Sequence, residues 1–400
     1  MLEQHATELL RHTVEETFPL AREVMTLDAR QYTCPERFAQ EKQQIFSRVP
    51  LVLAASCELR KPGDFKTVEV AGIPVLLVRN REGTVHALLN ACTHRGAAVA
   101  SGCGSAARFT CPYHGWTFAQ DGDLVGIASS TDFGAVDKTA LAMKRFPVTE
   151  RAGLIWVILD PDSSHDPADM LGGIDELVAG FGFAGWNHIE SRTMHGPNWK
   201  LTFDAHLEFY HVPVLHRETF GPERSNRAFY FSQGPHQRVV APRGRPGDTA
   251  KDDLYALGRL PAADEPFDPL LVGEWILFPG ASINTFYLNG QRGVLLSIVL
   301  PGPDVGTSTT TQTFLAETPP DEVTRAAMEE LCTFLARVVG DEDLPTSALQ
   351  QKALATGLLE HVRFGQNEGG LQHFHRWLDD LLKADDAELA ALLAEPCPQR

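Results

Sequence analysis

The chain has 400 residues, of which 43% are hydrophobic and 22% are charged, as in an ordinary globular protein with two or three domains. Its 35 basic and 52 acidic side chains give a net charge of −17. Because this charge repels nucleic-acid phosphates and anionic lipid headgroups, we expect neither nucleic acid nor a membrane surface as a partner.

Targeting and redox signals point to the cytoplasm. The longest apolar runs, at residues 153–159 and 293–300, are far shorter than the roughly 20 residues that cross a bilayer. Residues 1–18 contain four glutamates and lack a basic segment followed by an apolar core, so they do not resemble a secretory signal. Seven cysteines, an odd number spread over a long chain, argue against a disulfide framework.

The chain divides into three parts by its hydrophobic pattern. Residues 1–48 are predicted to form an N-terminal helical arm with a break near Pro35. Residues 49–160 carry short β-type runs between glycine-containing turns and predict a small all-β domain. Residues 161–400 mix the two patterns: a helical stretch at 198–216, strands at 228–232, 276–278, 285–288, 294–299 and 309–315, and helices at 322–338 and 370–382.

One connection is unusually long. Residues 242–268 are rich in Pro, Gly, Asp and Ala and exceed the length of an ordinary loop. We interpret this segment as an active-site lid, with a disordered excursion as the alternative.

Two short motifs in the β domain each combine a cysteine with a histidine. Cys92 and His94 stand in CTHRG, and Cys111 and His114 stand in CPYHGW. Thiolates and imidazoles suit either zinc or an iron–sulfur cluster. A zinc site usually pairs the cysteines in one loop and the histidines in the other. The interleaving favours a [2Fe-2S] cluster in which one iron takes both cysteines and the other both histidines, with structural zinc as the alternative.

A second group of histidines and acids lies in the segment HLEFYHVPVLH, residues 206–216. On one continuous helix His211 and His216 would differ by roughly 140° and could not share a metal. Pro213 is expected to start a new turn that redirects His216 toward the side that His211 faces. Glu208 lies three residues before His211, within reach of its second ring nitrogen. Two histidines and a carboxylate leave open positions on Fe(II) for O2 chemistry, whereas a helix with solvated histidines is the alternative.

The two cysteine–histidine motifs resemble the cluster-binding loops of Rieske proteins. The pattern of Glu208, His211 and His216 resembles the mononuclear iron motif of Rieske non-haem iron oxygenases, specifically the alpha (catalytic oxygenase) subunits of the aromatic-ring-hydroxylating dioxygenase family. This resemblance implies that Cys92 and Cys111 bind one cluster iron and that His94 and His114 bind the other. It also implies that His211 and His216 bind a mononuclear Fe(II).

The resemblance further implies a third iron ligand and a trimer. In the family this ligand is a carboxylate in a C-terminal helix, and the segment GDEDLP at residues 340–345 is similar to that region. We assign Asp343, with Asp341 and Glu342 as alternatives. In the family the carboxylate at Glu208 connects an iron-ligating histidine to a cluster histidine of the neighbouring subunit, which gives Glu208 a catalytic role and predicts a homotrimer.

The fold implied by the resemblance is α+β. An all-β Rieske [2Fe-2S] domain at residues 49–160 precedes a catalytic mononuclear iron domain at residues 161–400, in which helices wrap an antiparallel sheet in a helix-grip-like arrangement.

The implied activity is O2 activation at Fe(II) and hydroxylation of a small, aromatic-type organic substrate. The alternative is a Rieske monooxygenase that demethylates a quaternary ammonium amine or an aryl methyl ether. Because the sequence has no NAD or flavin fingerprint, electrons from NAD(P)H must come through a separate reductase, with or without a ferredoxin. A pure electron carrier would leave the second motif unexplained, and a zinc-stabilised binding module is the remaining hypothesis.

Overall fold

The computed structural model describes residues 5, 8, 11, 12, 15, 17–221, 226–240 and 273–394. The proposed lid at 242–268 lies outside the described residues. In the described parts of the chain, no helix has both the length and the apolar character needed to span a bilayer.

The N-terminal part consists of short strands joined by turns. The elements are β1 (Met25–Asp28), α1 (Pro35–Glu41), β2 (Leu51–Ala55), β3 (Asp64–Val70), β4 (Ile73–Arg79), β5 (Val85–Leu89), β6 (Cys103–Ser105), β7 (Phe109–Thr110), β8 (Thr117–Phe118), β9 (Leu124–Gly126), α2 (Ser130–Phe133), β10 (Arg145–Phe146), β11 (Val148–Arg151) and β12 (Leu154–Val157).

The C-terminal part combines long strands with helices. The elements are α3 (Ile174–Val178), β13 (Asn187–Gly196), α4 (Trp199–Asp204), α5 (Val212–Leu215), α6 (Arg217–Phe220), β14 (Phe229–Gln233), β15 (His236–Val240), β16 (Glu274–Leu277), β17 (Ala281–Leu288), β18 (Gln291–Pro301), β19 (Ser308–Ala316), α7 (Glu322–Val338), α8 (Leu344–Leu354), β20 (His361–Phe364), α9 (Gly369–Lys383) and α10 (Asp386–Ala394).

The predicted α+β fold class is confirmed. Strands β2 to β12 form three antiparallel sheets, in the orders β10-β5-β4-β3-β6, β11-β12-β2 and β7-β8-β9. The C-terminal part contains one seven-stranded antiparallel sheet in the order β13-β19-β18-β17-β16-β15-β14. Helix α7 packs against β13 and β17 of this sheet.

Local sequence signals account for the C-terminal helices. Helix α7 begins after Asp321, whose carboxylate accepts a 2.8 Å hydrogen bond from the backbone N–H of Thr324. In α9 the buried side chains recur at the spacing of one helix face, at Phe374, Trp377, Leu378 and Leu381. Both helices were expected from these patterns.

The prediction of a purely helical N-terminal arm is wrong. Residues 25–28 form strand β1, which pairs with β20 from the opposite end of the chain and buries Leu27. Four residues are too few to show a periodicity. The strand exists because a distant segment supplies its hydrogen-bond partners.

The two parts of the chain share one hydrophobic core. The largest cluster of buried apolar residues includes Trp156 of β12 and Trp275 of β16, so it runs from the N-terminal sheets into the C-terminal domain. A second, smaller cluster lies beneath the cysteine–histidine loops and contains Leu76, Phe118 and both motif cysteines. The loops therefore rest on a core of their own.

A buried ion pair fixes helix α4 to the N-terminal arm. Glu41 and Lys200 are both fully buried, and their Oε1 and Nζ atoms lie 2.5 Å apart. Trp199 donates a 2.9 Å hydrogen bond to the second carboxylate oxygen, and Arg37 contacts the same carboxylate at 3.2 Å. Because every partner of Glu41 comes from α1 or α4, these contacts set how α4 enters the C-terminal domain.

Replacing Lys200 with Met should lower the free energy of unfolding by about 3–5 kcal/mol, because it removes the buried cation of Glu41 and leaves only the partly exposed Arg37 beside this buried carboxylate. Urea denaturation followed by circular dichroism measures the change. The matched control, Lys352→Met, removes an exposed lysine and should change stability by less than about 0.5 kcal/mol. Equal effects of the two substitutions would contradict the role given to the buried pair.

Candidate metal centres

The two cysteine–histidine loops close in the same way. Cys92 follows β5 and Cys111 follows β7. The carbonyl of Cys92 accepts a 2.8 Å hydrogen bond from the N–H of Gly96, and the carbonyl of Cys111 accepts a 3.0 Å hydrogen bond from Gly115. Both glycines have positive φ angles, +82° and +69°, which an L side chain rarely adopts. Each loop is thus a tight turn that begins at its cysteine.

The four candidate ligands of these loops meet at the tip of the β domain. The thiols of Cys92 and Cys111 are buried and hydrogen-bonded to each other. The rings of His94 and His114 have centroids 4.8 Å apart, and His94 stacks on Trp116 at 4.9 Å. The indole of Trp116 therefore covers one side of the group, whereas His114 is exposed.

The donor set fits an iron–sulfur cluster better than one zinc ion. Backbone N–H groups of residues 94 and 95 donate to the sulfur of Cys92, and those of 113 and 114 donate to Cys111. Such N–H groups stabilise anionic sulfur. Among the described residues, these four side chains do not lie close enough together to bind a single ion. A tetrahedral zinc site would bring them that close, whereas two irons spread them out.

The second site lies where the predicted helix at 198–216 is interrupted. Helix α4 ends at Asp204, and residues 205–211 form turns. Helix α5 begins after His211 with Pro213 in its first turn, and His216 connects α5 to α6. The continuous helix is therefore a wrong prediction for residues 205–211, but the new turn expected at Pro213 is present.

This interruption brings His211, His216 and Asp343 together. One possible ligand atom from each residue lies within 4.8 Å of the others. Nε2 of His216 is 3.1 Å from Oδ1 of Asp343, and Nε2 of His211 is 3.8 Å from the same oxygen. Two imidazole nitrogens and one carboxylate on a common side could hold an iron ion and leave other positions free.

The second nitrogen of each imidazole is held by a glutamate. Nδ1 of His211 is hydrogen-bonded to Oε1 of Glu208, and Nδ1 of His216 lies 2.7 Å from Oε2 of Glu342. Thr219 donates a 2.5 Å hydrogen bond to the other oxygen of Glu342. Carboxylates in this position fix the tautomer and orientation of metal-binding histidines. They leave Nε2 of both rings to face Asp343.

The geometry also separates the three acids considered for the third ligand. Asp343 belongs to the triad, Glu342 supports His216, and Asp341 is exposed. Residues Val339–Asp343 form a π-helical segment between α7 and α8, a rare conformation that is frequent at functional sites. Burial acts to lower the pKa of His216, but its hydrogen bonds with Asp343 and Glu342 outweigh burial and raise it.

Glu208 also faces a cavity. Together with Asp204, His211, Asp343 and Glu368 it lines a hollow of about 330 Å³. Burial and the charges of Glu208 and Asp204 raise the pKa of Glu368. The triad is therefore accessible from a side that carries several acidic groups.

Three polar contacts near the triad were not predicted. Oη of Tyr32 donates to Asp204 at 2.6 Å, and Nε2 of His375 lies 3.0 Å from the same carboxylate. His206, to which the sequence assigned no role, has Nδ1 2.8 Å from Oε1 of Glu274. Each contact joins residues far apart in the chain, so no local pattern could have revealed its partner. The only signal in the sequence was the presence of Asp204 and His206 just before Glu208.

Comparisons with known proteins match both halves of the chain. Residues 183–384 match the family described as "Ring hydroxylating alpha subunit (catalytic domain)". Residues 49–140 match the family described as "Rieske [2Fe-2S] domain".

The individual relatives are named either as monooxygenase oxygenase subunits or as a dioxygenase large subunit. The chain is 33% identical over 193 residues to the glycine betaine monooxygenase oxygenase subunit of Chromohalobacter salexigens, which covers 47% of this chain and 42% of that one. It is 30% identical over 193 residues to the anthranilate 1,2-dioxygenase large subunit of Acinetobacter baylyi, with 46% and 41% covered. These alignments thus span less than half of either relative. The carnitine monooxygenase oxygenase subunit of Escherichia coli K12 is 26% identical over 373 residues, which cover 90% of this chain and 95% of that one.

Replacing Asp343 with Ala should remove the mononuclear iron and spare the cluster, because two imidazoles bind iron poorly without the carboxylate. Metal analysis should find two irons per chain instead of three, with an unchanged visible spectrum. The control is Asp341→Ala, two residues away and exposed, which should keep all three. Loss of iron in the control but not in Asp343→Ala would mean that the ligand is misassigned.

Proposed function

Because the chain belongs to the ring-hydroxylating alpha-subunit family, we propose that it is the oxygenase component of a multi-component Rieske non-haem iron oxygenase. The observation that carries this proposal is the convergence of His211, His216 and Asp343 within 4.8 Å, in a chain that also has a Rieske domain. An electron carrier alone would have no use for the triad.

The proposed ligands follow from the two donor sets. Cys92 and Cys111 hold one iron of the [2Fe-2S] cluster, and His94 and His114 hold the other. His211, His216 and Asp343 hold Fe(II). The cofactors supply electron relay and O2 activation, respectively, and the chain's side chains determine where the substrate and the electrons reach them.

The chain's own residues perform three tasks in this scheme. Glu208 and Glu342 hold Nδ1 of the two histidines, so that both Nε2 atoms keep their direction. Trp116 shields the cluster histidine His94 from water on one side. Leu207, which is fully buried next to Glu208, keeps the turn between α4 and α5 anchored in the core.

The overall reaction requires an external electron source. Insertion of one oxygen atom into a C–H bond of the substrate consumes O2, two electrons and two protons, and the second oxygen atom leaves as water. The electrons come from NAD(P)H through a separate reductase, with or without a ferredoxin. The cytoplasmic location expected from the sequence stays a prediction.

Of the two substrate classes, a quaternary ammonium acid has more support. Two of the relatives are named as glycine betaine and carnitine monooxygenase subunits, and the carnitine monooxygenase subunit of Escherichia coli K12 aligns with 90% of this chain. Hydroxylation of an N-methyl group of such a substrate gives a carbinolamine that releases formaldehyde and leaves a tertiary amine. Hydroxylation of an aromatic acid is the second candidate, supported by the similarity to the anthranilate dioxygenase subunit.

We further propose that the active form is a head-to-tail homotrimer. Around the cluster, Tyr113 and Phe133 are 58% and 44% exposed, and around the triad Tyr210 and Val214 are 52% and 78% exposed. Large apolar side chains at two different places on one chain suit a heterologous contact that closes into a ring.

The charges at the two places are also complementary. Arg95 lies over the ring of Tyr113 at the cluster tip, whereas acidic side chains line the hollow next to Glu208. In the described part of the chain, no hydrogen bond or ring contact joins the cluster histidines to Glu208 of the same chain. A neighbouring subunit would bring the two sites together, with Glu208 between them.

The substrate class is tested by oxygen uptake with a surrogate reductase and NADH. Glycine betaine should stimulate uptake with one formaldehyde released per O2, whereas anthranilate should stimulate it without formaldehyde if the second candidate is correct. A panel of other quaternary ammonium acids, aromatic acids and aryl methyl ethers extends the comparison. His211→Ala, which lacks a triad histidine, provides the background. Uptake no faster than this background for every compound would reject the oxygenase function.

The trimer is tested by mixing two inactive chains. Cys111→Ala should be colourless and keep its mononuclear iron, and Asp343→Ala should be red-brown and lack that iron. Co-assembled, differently tagged trimers should regain activity, because one chain would supply the intact cluster ligands and its neighbour the intact iron ligands.

The role of Glu208 is tested in the same mixture. Glu208→Gln in the Cys111→Ala chain should suppress the recovery, whereas Glu218→Gln, an exposed glutamate on α6, should leave it unchanged. Mixed trimers that form and remain inactive would disprove electron transfer between subunits.

A further inference from the structure

His206 and Glu274 form a polar pair next to the iron triad. His206 lies in the turn after α4, five residues before His211, and Glu274 is the first residue of β16. Nδ1 of His206 is 2.8 Å from Oε1 of Glu274 and 3.3 Å from Oγ of Ser282 on β17. The pair therefore joins the iron-binding turn to the central sheet.

The pair faces the sheet and not the hollow that Glu208 lines. Ala205 and Glu208 belong to that hollow, but His206 between them does not. In the register of β16 and β17, Glu274 lies opposite Asn284, and Ser282 lies opposite Ile276, so all three polar residues share one face of the sheet. His206 thus connects the turn that carries His211 to this polar strip.

The buried carboxylate favours the charged form of the imidazole. Glu274 is only 4% exposed, and an isolated carboxylate in such a place is costly unless a cation is near. Burial acts to lower the pKa of His206, but the charge and hydrogen bond of Glu274, with a contribution from Asp343, outweigh it and raise the pKa. The imidazolium form and Glu274 neutralise each other.

The second ring nitrogen of His206 is free for a ligand. Nδ1 is taken by Glu274, and Nε2 has no hydrogen-bond partner among the described residues. The side chain of His206 retains 13% exposure, so the ring is not completely sealed in the core. An N⁺–H donor of this kind forms its strongest hydrogen bond with an anionic oxygen.

We propose that His206, oriented by Glu274, binds the carboxylate of the substrate. The inference rests on the proposed oxygenase function and narrows it to organic acids, with the C–H bond to be oxidised on the side of the molecule that faces the triad. His206 is then a specificity-determining residue, and Glu274 is a positioning residue that acts through it. Glycine betaine and anthranilate both carry the required carboxylate, so the proposal does not depend on which of the two classes is correct.

Calorimetric titration of the iron-loaded protein without O2 or reductase tests this recognition directly. The probes are two pairs in which only the carboxylate changes: glycine betaine with choline, and anthranilate with 2-aminobenzamide. In at least one pair the wild-type protein should bind the acid about tenfold or more tightly than its neutral partner. His206→Gln should weaken binding of that acid about tenfold and change binding of the neutral partner less than twofold.

Two further variants control the measurement. His188→Gln, on the exposed surface of β13, should bind all four probes like the wild-type protein. If His206→Gln does not fold because Glu274 is left unpaired, the double variant His206→Gln/Glu274→Gln removes the buried charge as well and serves in its place. It should show the same loss of preference for the acid.

Equal binding of acid and neutral partner in both pairs, failure to bind either acid, or an unchanged preference in the His206 variants would overturn the proposal. Tighter binding of choline that His206→Gln abolishes would also overturn it, because Nε2 would then be an acceptor. These results are independent of turnover. An inactive protein that still selects acids would refute the oxygenase function alone, and an active protein without this preference would refute only the role of His206.

Discussion

Each histidine of the triad has one ring nitrogen fixed by a carboxylate, Glu208 for His211 and Glu342 for His216. An imidazole bound in this way can turn only its Nε2 toward a third group, and in both cases that group is Asp343. The neighbouring turns and helices position the residues that make these contacts. The break after α4 and the start of α5 at Pro213 place the two rings, and the π-helical segment before α8 places the acids.

The same constraint explains why polar groups are buried around α4. Glu41 and Lys200 attach the helix to the N-terminal arm, and Asp204 at its end is held by Tyr32 and His375. Buried polar groups are costly unless they are fully paired, so each contact tolerates little displacement. The arm and helix α9 therefore take part in holding the turn that carries His211, although neither contributes a candidate ligand.

The two redox sites place different demands on the chain. The cluster loops need tight turns, directed N–H groups and a small core of their own, and a β domain supplies these without long helices. The triad needs side chains from two distant segments, which the break after α4 and the π-helical segment between α7 and α8 bring together. Large apolar side chains are exposed at both places, on a chain of net charge −17.

The sequence alone determined those local structures that depend only on residues close together in the chain. The spacing within CTHRG and CPYHGW placed a cysteine and a histidine in each loop, and the positions of Glu208, His211 and Pro213 predicted the turn that redirects His216. The start of α7 after Asp321 and the apolar face of α9 followed from capping and periodicity in the same way.

Contacts between distant segments were decided only by the tertiary structure. Strand β1 forms because β20 lies beside it, and residues 205–211 leave the helix although their local pattern predicts one. In the acidic run at 341–343, the side chains are chemically alike, and only the path of the π-helical segment turns Asp343 to the histidine Nε2 atoms and Glu342 to Nδ1 of His216. His206 found its partner Glu274 on a strand that no local pattern connects to it. Periodicity and capping act over a few residues, whereas these partners are set by how the whole chain packs.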